Sequence, residues 1–249
     1  MTTYWITGAA GAIGSALCEQ LAAAGHHLVL SGRDDARLQT LAGRLPTRTL
    51  ALAGDLTQTA TATRLLQAAE AELGPVQGLA HCVGSTLIRP LHLTRDEDLE
   101  ALMQVNFFSA AYTLRAFVQS LRKQRLPGSA VLVGSLVAHA GFPNHEGIGS
   151  AKAAVAGLAL STAASYADKG IRVNCVHPGL TISPLTGRLT DSPEAIARNA
   201  RQNPMQRLGE GHDTAAMMAF LLSDAAGWIT GQQINIDGGQ ALLHPLPRD

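Results

Sequence analysis

The sequence predicts an α/β fold: a doubly wound parallel sheet of about seven strands with helices on both faces. Three observations predict it. Short β-rich runs alternate with long Ala/Leu-rich amphipathic runs along the whole chain, and parallel strands need such crossover segments. A glycine-rich stretch, Thr7 to Gly14, separates the first β-rich run from the first helical one. At 249 residues, 46% hydrophobic and 15% charged, the chain carries material for one large core and too little charge for disorder.

Taken in order, Tyr4–Thr7 is an apolar strand closing on the glycines, and Ile13–Ala24 is the Ala/Leu-rich helix that leaves them. The strand Leu28–Ser31 is followed by a helix over Asp34–Arg44, and the strand Thr49–Leu52 by one over Thr59–Leu73. Val76–Cys82 precedes a long helical run, Asp96–Lys123, and Ala130–Val133 precedes another, Asn144–Asp168, whose start is marked by Pro143-Asn144. Arg172–Val176 and Gln233–Ile236 are the last strands, with helices at Pro193–Gln202 and His212–Leu222 between them. No repeat or linker divides the chain, so residues 1–249 are expected to form one domain. The tail His244 to Asp249 either frays or docks on a neighbouring subunit.

Nineteen Lys+Arg balance nineteen Asp+Glu with no basic block, which argues against nucleic acid as a partner. The N-terminus runs straight into a strand without a leader pattern. The longest apolar tract, Ala151 to Ala167, is broken by Lys152 and hydroxyl residues, so it is expected to be a buried helix and not a membrane span. Cys18, Cys82 and Cys175 are odd in number and widely spaced, as expected of reduced core thiols in a cytoplasmic protein. No His or Cys pair has metal-ligand spacing, and no metal is expected.

Thr7-Gly8-Ala9-Ala10-Gly11-Ala12-Ile13-Gly14 lies between a first strand and a first helix. Glycines there permit a tight turn and close approach of a pyrophosphate, which the helix N-terminus stabilises. This predicts a Rossmann-like site. After the second strand, Gly32 stands where an acidic residue would bind the ribose 2′-OH of NAD, and Arg33 follows. The space and the guanidinium favour NADP(H) over NAD(H), unless Arg33 is simply paired with Asp34 or Asp35.

The ordered motifs resemble the short-chain dehydrogenase/reductase family over nearly the whole chain. They are Thr7 to Gly14, Gly54-Asp55-Leu56-Thr57, Pro178-Gly179-Leu180-Thr181-Ile182-Ser183, and Gly209, Thr230-Gly231-Gln232 and Asp237-Gly238-Gly239. The chain departs from the family twice among these binding motifs. Its glycines read GxxGxxG in place of TGxxxGxG, and His81-Cys82-Val83-Gly84 replaces NNAG, keeping only Gly84. The resemblance implies cofactor contacts at Thr7, Gly8, Gly11, Ile13, Gly14, Arg33, Asp55, Leu56, Gly84, Lys152, Pro178, Gly179 and Ser183. Asp55 is matched to an adenine contact, or caps the next helix.

In the family's mechanism a Ser hydroxyl holds the substrate carbonyl and a Tyr hydroxyl moves the proton. A Lys lowers the Tyr pKa and binds the nicotinamide ribose, while an Asn supports a water chain. Ser135, Lys152 and Asn106 match three of these. Ile148, thirteen residues after Ser135 and four before Lys152, stands where the Tyr is expected. His145, seven residues before Lys152, falls where the enoyl-acyl-carrier-protein reductase branch keeps its Tyr, and seven residues on a helix return to nearly the same face. It is either a substitute donor or a surface residue at a helix start, where imidazolium is disfavoured. Glu146 is expected to face the helix dipole and His139 to lie near the cleft. Arg198, Arg201 and Arg207 either meet an acidic substrate or are solvated.

These observations predict an NADP(H)-dependent oxidoreductase acting on a carbonyl or activated alkene of a small molecule by an altered proton path. The alternative is a non-catalytic NADP(H)-binding protein. The resemblance also implies a homodimer or homotetramer assembled through the two long helices.

Overall fold

The computed structural model describes residues 1–243, so the tail from His244 to Asp249 lies outside the described residues. Seven parallel strands form one sheet in the order β3-β2-β1-β4-β5-β6-β7. They are β1 (Thr3–Thr7), β2 (His27–Gly32), β3 (Thr49–Ala53), β4 (Val76–His81), β5 (Gly128–Val133), β6 (Ile171–Pro178) and β7 (Gln233–Ile236). Helices α1 (Ala12–Ala23), α2 (Asp35–Ala42), α3 (Thr59–Leu73), α4 (Asp96–Met103), α5 (Ser109–Gln124), α6 (Glu146–Tyr166), α7 (Gly187–Thr190), α8 (Pro193–Ala200) and α9 (Gly211–Leu222) connect them. The Rossmann-like doubly wound fold expected from the alternation is the fold observed.

Strand residues of alternate parity feed two cores, because successive side chains leave opposite faces. Trp5, Val29, Leu79, Leu132 and Val173 join the core beneath α3, α5 and α6. Tyr4, Ile6, Leu30, Val131 and Val176 join the one beneath α1, α2 and α9. The strand order reverses direction between β1 and β4, and there the carboxyl ends of the strands part to leave a crevice.

The run from Asp96 to Lys123, expected as one α-helix, is interrupted. Gln104–Phe108 form a π-helical turn between α4 and α5. Within it the buried Asn106 side chain donates to Leu102 O, one turn back, at 2.9 Å. The helix expected over Asn144–Asp168 starts two residues later, since Asn144 has φ +64°, and it ends at Tyr166 before a 3-10 turn. The short helix α7 lies in a segment for which no element was expected. Cys18, Cys82 and Cys175 are all free thiols. Among the described residues no helix is long and apolar enough to cross a membrane.

His81, at the end of β4, is buried and bridges two hydroxyls: Nδ1 lies 2.9 Å from Thr7 Oγ1 and Nε2 lies 3.1 Å from Ser109 Oγ. It thereby ties β1, β4 and α5 together where the family usually carries asparagine. Burial pushes its pKa down from 6.5 to about 3. A depressed histidine pKa means that unfolding takes up a proton between those values, so stability is full above pH 6.5 and falls as pH drops toward 3. Denaturant melts across that window should show this slope, and His81→Phe should flatten it. That substitution should also cost about 1–3 kcal/mol at pH 7, since two buried hydroxyls lose the imidazole and keep only a backbone carbonyl each, Ala80 O for Thr7 and Val105 O for Ser109.

Candidate active site

The crevice at the carboxyl ends of β1 and β4 opens into a cleft of about 400 Å³. Its floor is the β1–α1 turn. Gly8 has φ +66°, and a Cβ there would sit 2.7 Å from the Cys82 carbonyl carbon; one on Gly14 would sit 2.4 Å from Gly8 O. Only glycine lets the turn lie so close to β4. Gly11 caps α1, and no side chain bonds the helix's first amides, which leaves them free for an anion. Ala12, the departure from the family's glycine pattern, simply opens α1 and lines the cleft with Ile13 and Gly14.

Three predicted contacts lie outside the cleft lining. Thr7 is fully buried with its hydroxyl on His81, and the Leu56 side chain belongs to the core beneath α3. Asp55 lies outside the cleft lining and does not cap α3, whose N-cap is Gln58. Its carboxylate accepts from Thr57 N at 3.0 Å and Thr57 Oγ1 at 2.8 Å, and the Thr57 amide bond is the main reason its pKa is lowered.

At the far end of the floor, Arg33 lines the cleft and, among the described residues, makes no ion pair. Asp34 is not its partner, because it caps α2 by accepting from Arg37 N at 3.1 Å. A Cβ on Gly32 would rest in ordinary contact on the Leu38 side chain, 3.6 Å away, and no acidic side chain stands there beside Arg33. Arg37, not singled out in the sequence, also lines the cleft and donates to Ala10 O at 2.6 Å across the glycine turn. Its one signal was its place in the first turn of the helix that follows the Gly32-Arg33 pair.

At the near end, Gly84, Ser135, Ile148, Lys152, Pro178, Gly179 and Ser183 share the lining. Lys152 is buried and donates to Val133 O at 2.9 Å. Burial lowers its pKa to about 8. Asn106 stands directly behind. A Cβ on Gly84 would lie 3.2 Å from Asn106 Oδ1 and 3.3 Å from Lys152 Nζ, so glycine lets the three groups converge. Asn106 also holds Ser85, accepting its amide at 3.1 Å and donating to its hydroxyl at 3.1 Å. Ser85 and Thr86, which the sequence did not flag, complete this wall. Ser183 caps a 3-10 turn through Thr186.

His145 is the one catalytic candidate left outside. It precedes α6 as its N-cap with φ −108° and ψ 15°, so it stands just outside the helix whose face was expected to align it with Lys152. Its Nδ1 lies 2.7 Å from Pro143 O and its ring packs on Phe142, away from the cleft lining. His139 is exposed and packs edge-on against His177. Arg207 is committed to Asp213 at 2.7 Å, and the exposed Arg198 and Arg201 lie outside the cleft.

A family model described as enoyl-(acyl carrier protein) reductase matches residues 8–241. A solved short-chain type dehydrogenase/reductase from Mycobacterium ulcerans superposes with a TM-score of 0.90 at 31% identity, over 97% of this chain and 90% of that one. The chain belongs to the short-chain dehydrogenase/reductase family. Among its short-chain dehydrogenase/reductase relatives, the 3-oxoacyl-[acyl-carrier-protein] reductase FabG of Haemophilus influenzae is 32% identical over 94% of this chain and 96% of its own length. A tyrosine-to-phenylalanine variant of ElxO, solved with NADPH bound, has a TM-score of 0.90 at 25% identity, covering 96% of this chain and 98% of that one. The relatives of this chain are thus oxidoreductases.

Asn106→Ala is expected to lower stability by about 1–3 kcal/mol by leaving the Ser85 amide and Leu102 carbonyl unpaired. Chemical denaturation measures the loss, and hydrogen exchange should localise the loosening to the π-helical turn and the loop after β4.

Proposed function

We propose that this protein is an NADP(H)-dependent oxidoreductase that transfers hydride to or from a carbonyl or activated alkene of a small molecule, by a proton path altered at Ile148. The observation that carries this reading is the meeting of Ser135, Ile148 and Lys152 in one cleft continuous with the glycine turn. The turn fits a dinucleotide: Gly8 and Gly14 leave the room a pyrophosphate backbone needs, and the uncapped α1 amides favour its charge. The free Arg33, the absence of an acidic side chain at Gly32 and the nearby Arg37 favour a 2′-phosphate. NADPH in the ElxO relative accords with this.

When bound, the cofactor supplies or accepts hydride at its nicotinamide ring. Lys152 is placed to bind its ribose, and Ser183 with Pro178-Gly179 to face its carboxamide end. Ser135 Oγ holds the substrate oxygen. Ile148 carries no transferable proton. Cys82 is a poor source, because burial holds its thiol at about 12. Lys152, with its pKa near 8, is the lining group at this end able to exchange a proton near neutral pH. Asn106 and Ser85 lie on the side from which it is replenished. Within the same proposal the chain is one cytoplasmic domain, assembled as a homodimer or homotetramer through α5 and α6, where Leu160 on α6 and Phe108 just before α5 remain exposed.

The isoleucine itself supports a second reading, a protein that binds NADP(H) without turning over substrate. NADPH oxidation across a panel of ketones, α-diketones and enones separates the two; binding without turnover would establish the second. Lys152→Met is expected to lower kcat by at least about 100-fold, as loss of a positioned proton donor does. Ile148→Tyr is expected to raise it. Loss of turnover in His145→Ala would instead return the proton path to that residue. In fluorescence titrations Arg33→Ala should weaken NADPH by about tenfold while leaving NADH binding unchanged, in line with loss of one charge-assisted contact.

A further inference from the structure

Ser135 is held by contacts that hydride transfer does not itself explain. His177, near the end of β6, is fully buried beside it. The His177 Nδ1 atom lies 3.2 Å from the Ser135 amide nitrogen and 2.9 Å from the Ser135 carbonyl oxygen. Its Nε2 lies 2.6 Å from Gln233 Oε1 on β7. Gln233 in turn donates from Nε2 to Ala156 O on α6 at 3.1 Å.

That last bond sets the direction of the whole run. With its NH₂ turned to Ala156, Gln233 offers only its carbonyl oxygen to the imidazole, so His177 Nε2 carries the proton. Nδ1 then keeps a lone pair that accepts from the Ser135 amide, and its approach to the Ser135 carbonyl oxygen, which itself accepts from Ala138 N at 3.0 Å, is a packing contact and not a hydrogen bond. Burial keeps the ring neutral by lowering its pKa. The ring has no room to turn. A Cβ on Gly134 would fall 2.5 Å from Nδ1 and 2.6 Å from Cε1, so the backbone before Ser135 lies directly on the imidazole. His139 packs edge-on against the ring, 4.7 Å between centroids.

The run closes on itself. Ala156 lies one turn beyond Lys152 on α6, and Lys152 bonds Val133 O two residues before Ser135. Ser135 contributes little to its own restraint, since its hydroxyl accepts only a 3.4 Å contact from Val137 N.

We propose that His177 and Gln233 are positioning residues that brace Ser135 against α6 and so fix the separation of the Ser135 hydroxyl from the Lys152 ammonium. This rests on the reading of Ser135 as the group that holds the substrate oxygen. The brace spans three separate elements, β6, β7 and α6, so loosening it displaces Ser135 without touching substrate or cofactor. Displacements of about 1 Å at a reacting group cost on the order of 10²-fold, so a partial loosening is expected to cost about tenfold.

Gln233→Leu is the first test, because Gln233 is exposed on an edge strand and the variant should fold; His177→Asn is the second. In ¹⁵N NMR of the full chain, both should shift the Ser135 amide resonance, and Gln233→Leu should perturb the His177 ring nitrogens. With an aromatic α-diketone as probe, both should lower kcat by about tenfold and leave NADPH affinity unchanged. In a Ser135→Ala background neither should lower kcat further. An unmoved Ser135 amide in both variants overturns the brace, as does an equal loss of kcat with and without Ser135. If the amide moves but Ser135→Ala itself turns over the probe like the wild type, the brace stands and the reading of Ser135 as the group that holds the substrate oxygen falls.

Discussion

Burying an ammonium group at the ends of parallel strands is the constraint on which the rest of the cleft depends. A buried cation is costly unless acceptors surround it. Lys152 meets that demand with the Val133 carbonyl, and Gly84 has no side chain so that Asn106 can also draw near. Asn106 reaches the site only because the helix around it is wound as a π turn. One charge thus dictates a glycine in one loop, a helix defect in another element and the end of β5. Burial also holds the amine's pKa near 8, which brings its proton into the range where exchange at neutral pH is easy.

The architecture was legible from the sequence because both periodicities survive folding undisturbed. Strand residues such as Tyr4, Trp5 and Ile6 divide between two cores as a period of two requires, and the crossover helices lie where amphipathic runs stand. The glycine turn was legible for a related reason, since backbone contacts at Gly8 and Gly14 exclude every other residue. Pairings between distant segments were not legible. Nothing local in Pro143-Asn144 announces a left-handed residue that delays α6 and removes His145 from its face. Asp55 and Leu56 carry the right motif but commit their side chains to a turn and to the core. Arg37 and His177 read as ordinary residues until the fold brings them to Ala10 and Ser135.

His81 illustrates how a departure from the family pattern is absorbed. An imidazole has two nitrogens on opposite sides of a rigid ring, and here they reach hydroxyls on β1 and α5 that flank β4. Burial holds that ring uncharged at neutral pH, and each hydroxyl also lies within hydrogen-bond reach of a backbone carbonyl, Thr7 of Ala80 O and Ser109 of Val105 O. The altered segment after β4 still delivers Gly84 and Ser85 to the wall of the cleft.

The π turn at Gln104–Phe108 also sets the phase of the helix beyond it. Each residue added to or removed from a helix rotates the remainder of the rod by about 100°. Leu102 before the turn and Leu114, Phe117 and Leu121 after it are all buried, although they lie on segments whose helical phases differ. Deleting one residue between 104 and 108 would close the turn into regular α-helix and leave Leu102 and Leu114 within about 20° of one face, so both apolar stripes would still meet the core. The extra residue is therefore no demand of helix packing: it belongs to the turn that carries Asn106 toward Gly84 and Lys152.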